Sequence, residues 1–344
     1  MPDKKAITTL QELSRHFNQS FEALQPVVDQ YPMQIHSSVL GLISQPKDNP
    51  IASQFIPQID ELLDNNSVVD PLGEGQQSPV RQVVHRYPDR VVFLISNTCP
   101  SFCRFCMRKR WVGRQPQVTY EDIQSGINYI AQNRSIGEVI LSGGEPFMRS
   151  DDCLLKVLSQ LRQISHVTLI RIHSRVPILL PHRISMDLIE QIRRFHPIYL
   201  NLHINHVSEL STDAQRLIQR FVDAGFPLGS QTVLLKGIND SPEIMHELMQ
   251  TLLSLRVRPY YIHQMDDTRG TNHFQTSIDM GLEIMAHLRG RISGMGVPQY
   301  MIDLPGGGGK IPLVPDYIVK RTSSSWHFRN YEGKQFEWKP PVIK

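Results

Sequence analysis

Val91-Val92-Phe93-Leu94-Ile95-Ser96-Asn97-Thr98-Cys99-Pro100-Ser101-Phe102-Cys103-Arg104-Phe105-Cys106 is the stretch that decides how this chain is read. Its first part, Val91 to Ile95, is an unbroken apolar run rich in β-branched residues. A half-solvated strand would alternate; a continuous run reads as a strand buried on both faces, as in a parallel sheet. The second part carries three cysteines spaced C-x3-C-x2-C. The thiols therefore sit on a loop leaving the C-terminal end of a strand, where open α/β sheets and barrels collect their chemistry.

Clustered thiols need a partner. Structural zinc takes four closed ligands, commonly from two C-x2-C knuckles, and only one knuckle is present here. A disulfide framework does not suit three grouped cysteines with the fourth, Cys153, far away. Incidental core cysteines are the plain alternative, but the tight spacing on a strand-end loop weighs against it. Iron–sulfur clusters are held by cysteine thiolates. Three such ligands leave one iron of a [4Fe–4S] cluster open to a small molecule.

Outward from this loop, a repeat emerges. Apolar strand-like runs begin near Val91, Glu138, Val167, Ile198, Leu228 and Arg258, and after the first interval their starts lie about 30 residues apart, the spacing of βα units. Helical patterns fill the gaps at 120–132, 151–163, 185–195, 209–224 and 242–255, with a last one at 277–292. Strand alternating with helix implies a parallel sheet with right-handed crossovers. The expected fold is α/β, a partial (β/α)6 barrel, with a doubly wound sheet as the alternative. Residues 1–85 read as a helical N-terminal extension, 86–295 as the barrel, and 296–344 as a C-terminal extension carrying Lys310.

Composition narrows the function classes. The chain has 344 residues, 40% of them hydrophobic, enough for one large domain with extensions. A net charge of +3 is too mild to argue for nucleic acid or a membrane as partner. No apolar segment follows Met1-Pro2-Asp3-Lys4-Lys5, and no apolar run reaches the length of a span. Few cysteines, most of them grouped as ligands, fit a reducing cytoplasm.

Strand ends supply further candidates. Gly143-Gly144-Glu145-Pro146 closes the second strand, as an ordinary tight turn or as a backbone that approaches a ligand closely. His173, His203 and His206 follow the third and fourth strands; polar pocket lining is favoured there over a metal site. The run Asp303-Leu304-Pro305-Gly306-Gly307-Gly308-Gly309-Lys310-Ile311-Pro312 invites a P-loop reading and fails it, because Ile311 replaces the Ser/Thr and Pro312 opposes a helix. Its strand-like flanks argue against a solvated tether. A mobile backbone beside one amine suits the lysine that forms a Schiff base with pyridoxal phosphate.

These motifs resemble a known family. Cys99, Cys103, Phe105 and Cys106 are similar to the signature of radical S-adenosylmethionine enzymes. Asp303 to Lys310 resembles the pyridoxal phosphate motif of lysine 2,3-aminomutase. Tyr31-Pro32-Met33, His85 to Arg90, Arg258 to Ile262 and Arg329 to Gly333 resemble that family in matching order, so the likeness covers about residues 30 to 335. It implies the same partial barrel and a 1,2-shift of the α-amino group of L-lysine to give β-lysine, an isomerase reaction. Arginine or ornithine as substrate, or β-lysine made for elongation factor P, are the alternatives. A non-catalytic iron–sulfur sensor is the reading from another class, and Lys310 speaks against it.

The resemblance also implies roles. Cys99, Cys103 and Cys106 would hold the [4Fe–4S] cluster. Gly143, Gly144, Glu145 and Gln231 would contact S-adenosylmethionine. Lys310 would carry pyridoxal phosphate, with Arg86 and Arg90 at its phosphate. Arg108 would bind the substrate carboxylate, and Asp266 and Asp303 its distal ammonium, since paired carboxylates in a pocket want a cation between them. The plain alternatives are a surface arginine for Arg108, a cap or turn for the aspartates, and surface ion pairing for Arg86 and Arg90. An amino acid and an electron donor are the implied partners, and a homo-oligomer is left open. Relatives with a cysteine-rich zinc tail differ from this chain, which has no cysteine after Cys153; no zinc is expected.

Overall fold

A computed structural model describes residues 6–64, 67–114 and 116–341. Its centre is a sheet of nine strands: β1 (Val83–Tyr87), β2 (Arg90–Ser96), β3 (Glu138–Gly143), β4 (Leu169–Ser174), β5 (Ile198–His203), β6 (Leu228–Leu234), β7 (Arg258–Gln264), β8 (Gln299–Leu304) and β9 (Gly309–Leu313). Strand order follows chain order without reversal, whereas a doubly wound sheet reverses at a switch point. β2 to β8 run parallel. β1 and β9 are antiparallel additions at the two edges.

The helices form where the sequence starts them. Those at Tyr120–Gln132, Asp151–Gln163, Met186–Arg193, Thr212–Asp223, Pro242–Ser254 and Ile278–Leu288 each follow a Ser or Thr. The hydroxyls of Thr119, Ser150, Ser185, Ser211, Ser241 and Ser277 each accept the backbone N–H three residues on, the bond that satisfies an orphan donor of the first turn. Their apolar stripes face the sheet. Leu154, Val157, Leu158 and Leu161 of the second helix are buried at i, i+3, i+4 and i+7. They meet the outward side chains of the strands, such as Phe93 and Ile95, in one continuous core. The other face of β2, Arg90 and Val92, points into a lumen.

The sheet curls until its edges almost meet. The Tyr87 hydroxyl on β1 accepts the Lys310 N–H on β9 at 2.8 Å. Arg86 on β1 and Asp303 on β8 form an ion pair at 3.2 Å. The partial barrel is thus a nearly closed one: six βα units followed by a seventh parallel strand, β8, drawn from the segment after residue 295.

Two smaller parts flank it. The N-terminal segment opens on the helix Leu10–Phe17, held by a reciprocal Thr9–Glu12 capping box, and packs its own apolar cluster around Leu13, Ile35 and Phe55. After β9, strands β10 (Ile318–Arg321), β11 (Trp326–Arg329) and β12 (Gln335–Trp338) form a separate antiparallel sheet. Among the described residues, no helix is long and apolar enough to cross a membrane.

Candidate active site

The cysteine loop is clamped from the N-terminal side. The Gln34 amide donates to Cys99 O at 2.8 Å and Gln34 O accepts Phe102 N–H at 2.8 Å. Between the cysteines, the Arg104 guanidinium is fully buried. It donates to both oxygens of Glu61 at 2.9 and 2.6 Å, and to Pro32 O and Tyr31 O. A buried charge survives only when paired and hydrogen-bonded in this way. The loop is therefore a fixed platform.

Its thiols are poised for a cation. Cys99, Cys103 and Cys106 line one cavity. Burial pushes all three above the usual thiol range, Cys106 to about 11. Glu145 adds to the upward push on Cys99, and Arg175 opposes it at Cys103. Such sulfurs carry negative charge only beside a positive partner, and metal coordination deprotonates a thiol outright. The donor set fits an iron–sulfur cluster, whose ligands are thiolates.

Gly143 and Gly144 sit beneath this loop for a steric reason. A side-chain carbon at Gly143, where φ is +136°, would lie 2.1 Å from Ser96 O, and one at Gly144 would lie 2.6 Å from Thr98 O. The turn after β3 thus packs directly on the backbone that leads into the cysteines. Glu145 turns back into the barrel wall and accepts from Ser174 Oγ at 2.6 Å and Arg175 N–H at 2.5 Å. Burial lifts its carboxyl to about 7. Gln231, on β6, lines the same cavity.

The second cluster lies on the hairpin that closes the barrel. Asp303 and Lys310 are directly paired across the β8–β9 ladder. Their carboxylate and ammonium are in contact. Asp303, almost fully buried, also accepts from Arg86, whose other nitrogens donate to Gln77 Oε1 at 2.7 Å and Leu72 O at 2.9 Å. Asp303 is a strand residue, not a turn. Asp266, just past β7, is set into the cavity wall. Burial first and Asp303 second raise its carboxyl to about 7. Among the described residues no hydrogen bond reaches that carboxylate. Arg90 stands at the β1–β2 turn, bonded to Asp89 at 2.8 Å and stacked 4.0 Å from the Tyr87 ring centre.

Arg108 is not a surface arginine. Its Nε and Nη2 grip Glu74, with bonds of 2.6 to 3.2 Å. Its Nη1 faces Ser142 Oγ at 3.4 Å and Gly143 O at 3.3 Å. Glu74 was not among the sequence candidates. It lies 34 residues upstream on a loop with two Gly and two Pro, with no local signal linking it to Arg108. Gln77 on the same loop was missed as well. Arg175, just past β4, is also absent from the sequence candidates; it contacts Cys103.

The candidate site residues face one cavity of about 1300 Å³, above the roughly 300–1,000 Å³ of a typical single-ligand pocket. It brings Cys99, Cys103 and Cys106 together with Arg86, Arg90, Arg108, Gly143, Gly144, Glu145, Gln231, Asp266, Asp303 and Lys310. His173 and His203 also line it, paired with Asn201 and Asn205 at 3.1 Å. Burial holds both imidazoles below their usual range, hence neutral. His206 instead caps the short turn at Val207–Glu209.

Comparison with known proteins agrees with this layout. A family model described as the radical SAM superfamily matches residues 93–249, and one described as lysine-2,3-aminomutase matches 285–341. The L-lysine 2,3-aminomutase of Methanococcus maripaludis is 45% identical over 315 residues, 90% of this chain and 72% of that protein. That of Fusobacterium nucleatum is 41% identical over 336 residues, 96% of this chain and 79% of its own length. The glutamate 2,3-aminomutase of Clostridioides difficile is 39% identical over 331 residues, 95% and 78%.

Proposed function

This chain belongs to the lysine 2,3-aminomutase family of the radical S-adenosylmethionine superfamily, and from that membership we propose that it moves the α-amino group of free L-lysine to the β-carbon. Membership implies a [4Fe–4S] cluster and S-adenosylmethionine; pyridoxal phosphate is part of the proposal. When bound, these groups supply hydrogen abstraction at an unactivated carbon and a π system that carries the migrating nitrogen.

The chain's own residues supply place and charge. Cys99, Cys103 and Cys106 would hold the cluster, with Gly143, Gly144, Glu145 and Gln231 beside it for S-adenosylmethionine. Lys310 would hold pyridoxal phosphate, with Arg86 and Arg90 toward its phosphate. Glu74 holds the Nε–Nη2 edge of Arg108 and so orients it, which leaves Nη1 as the donor toward the substrate carboxylate.

The observation that carries the substrate is Asp266. Its carboxylate lines the cavity beside Asp303 without a hydrogen-bond partner among the described residues. Asp303 is already met by the Lys310 ammonium and by Arg86, so Asp266 is the acid of the two with no cation in contact among the described residues. A substrate with a distal ammonium supplies that cation; glutamate would add a third carboxylate. The test is to incubate the reconstituted, reduced protein with lysine, glutamate, arginine and ornithine separately, and to resolve the products. β-Lysine from lysine is the expected outcome. Turnover of glutamate, arginine or ornithine with none of lysine would overturn the assignment.

A further inference from the structure

Arg175, the first residue after β4, reaches the cysteine loop through a buried network. Its Nη1 donates to Cys103 Sγ at 2.9 Å. Its Nη2 donates to Glu209 Oε2 at 2.8 Å and to Gln54 Oε1 at 2.5 Å. Glu209 is fully buried, and its other oxygen accepts the N–H groups of Asn205 and His206 and the Gln54 amide at 3.0 to 3.1 Å. The guanidinium carbon lies 5.0 Å from the Phe55 ring centre and 5.5 Å from that of Phe105. The cation thus packs against two aromatic rings and is held at both terminal nitrogens, while its buried Nε has no partner among the described residues.

Stability alone is a poor reason for such a pair. Burying two charges costs about as much as their attraction returns, and apolar replacements of similar volume are often neutral or stabilising. What distinguishes this pair is its third member, a ligand sulfur. Hydrogen bonds and nearby charge at cluster sulfurs are among the factors that set a cluster's reduction potential. Reduction adds one electron, and part of that charge resides on the sulfurs. A fixed positive charge donating to one of them favours the reduced form; a fixed negative charge behind it opposes that effect.

We propose that Arg175 raises the reduction potential of the cluster held by Cys99, Cys103 and Cys106 through its bond to the Cys103 sulfur, and that Glu209 sets the size of this effect by partly neutralising Arg175. The inference rests on reading the three cysteines as cluster ligands. No bond is made or broken in the step concerned: the oxidised cluster takes one electron from an added reductant such as dithionite. Arg175 acts through Cys103 and is a positioning residue.

The test is a dithionite titration of the reconstituted full-length protein, with the reduced cluster followed by electron paramagnetic resonance and iron content measured alongside. Arg175→Gln should lower the midpoint potential and Glu209→Gln should raise it, with the parent between them. A merely structural role gives no reason for opposite signs. Equal midpoints, or shifts in the same direction, would overturn the proposal. If Arg175→Gln fails to retain iron, Glu209→Gln keeps the charge on Arg175 and decides the sign by itself: an upward shift supports the proposal, and no shift or a downward one rejects it. A parent protein that takes up no cluster would instead overturn the reading of the cysteines.

Discussion

Lys310 and Asp303 occupy directly opposed positions on the β8–β9 ladder, and their ammonium and carboxylate touch. The residue proposed to carry pyridoxal phosphate and one of the acids proposed to grip the substrate are therefore positioned by the same hairpin. Any change in one alters the electrostatics of the other.

Lys310→Ala should fold, because the lysine side chain is about a third exposed and its backbone bond to Tyr87 survives truncation. It should lose the Schiff-base absorbance of bound pyridoxal phosphate and fall to background in β-lysine formation. Absorbance and product analysis on the same sample check both.

Asp266 gives the reaction a pH signature. Its carboxyl titrates at about 7, raised by burial and then by Asp303. It is neutral below that pH and charged above it, while the side chain of free lysine stays cationic to about 10. The KM for lysine should therefore fall as pH rises from 6 to 8. Asp266→Asn should flatten that limb and raise KM at pH 8 by about tenfold or more, the worth of a charged hydrogen bond. Stability runs the other way. A carboxyl whose pKa rises on folding stabilises the fold below about pH 4 and loses that contribution as pH climbs toward 7. The Asn variant should lack this decline, as denaturant midpoints across the range would show.

Glu74→Gln should loosen Arg108 without removing it. The bidentate grip on Nε and Nη2 becomes a weaker, neutral one. A loss of about ten- to a hundredfold in kcat/KM for lysine is expected, from the roughly 1.5–3 kcal/mol of a hydrogen bond to a charged group. Glu74→Asp, which keeps the charge, should recover part of it. Steady-state kinetics of the two variants provide the check.

Gly307→Ala should damage the hairpin and its support together. Gly307 has φ of +88°, and an added side-chain carbon would lie 2.3 Å from Gln77 Nε2. That amide is held by Leu72 O and Gly73 O, while its oxygen accepts from Arg86. A cost of about 1–2 kcal/mol in stability is expected from the strained backbone alone. Weaker retention of pyridoxal phosphate should accompany it, read as the cofactor fraction left after gel filtration.

The repeat of apolar runs alternating with helical patterns made the barrel legible, although only the helix-facing side of each strand is fully buried and the other side, as in β4 and β6, lines the lumen. The seventh strand was harder to see. Gln299 to Leu304 alternates less cleanly and runs straight into glycines, so its membership of the main sheet depends on pairing with Tyr261, Ile262 and His263. The site showed the same division. Cysteines and the Gly-Lys run are local patterns with their own chemistry. Glu74 and Arg175 matter only through partners 34 and 72 residues away, and no spacing rule in a single chain links such pairs.

The bond between the Tyr87 hydroxyl and the Lys310 amide spans 223 positions of chain. During translation the cysteine loop leaves the ribosome long before residue 310 does. Until residue 310 is made, the wall formed by β1 to β7 lacks its clasp. The two ends of the wall are fastened together only by the last stretch of the main sheet to be made.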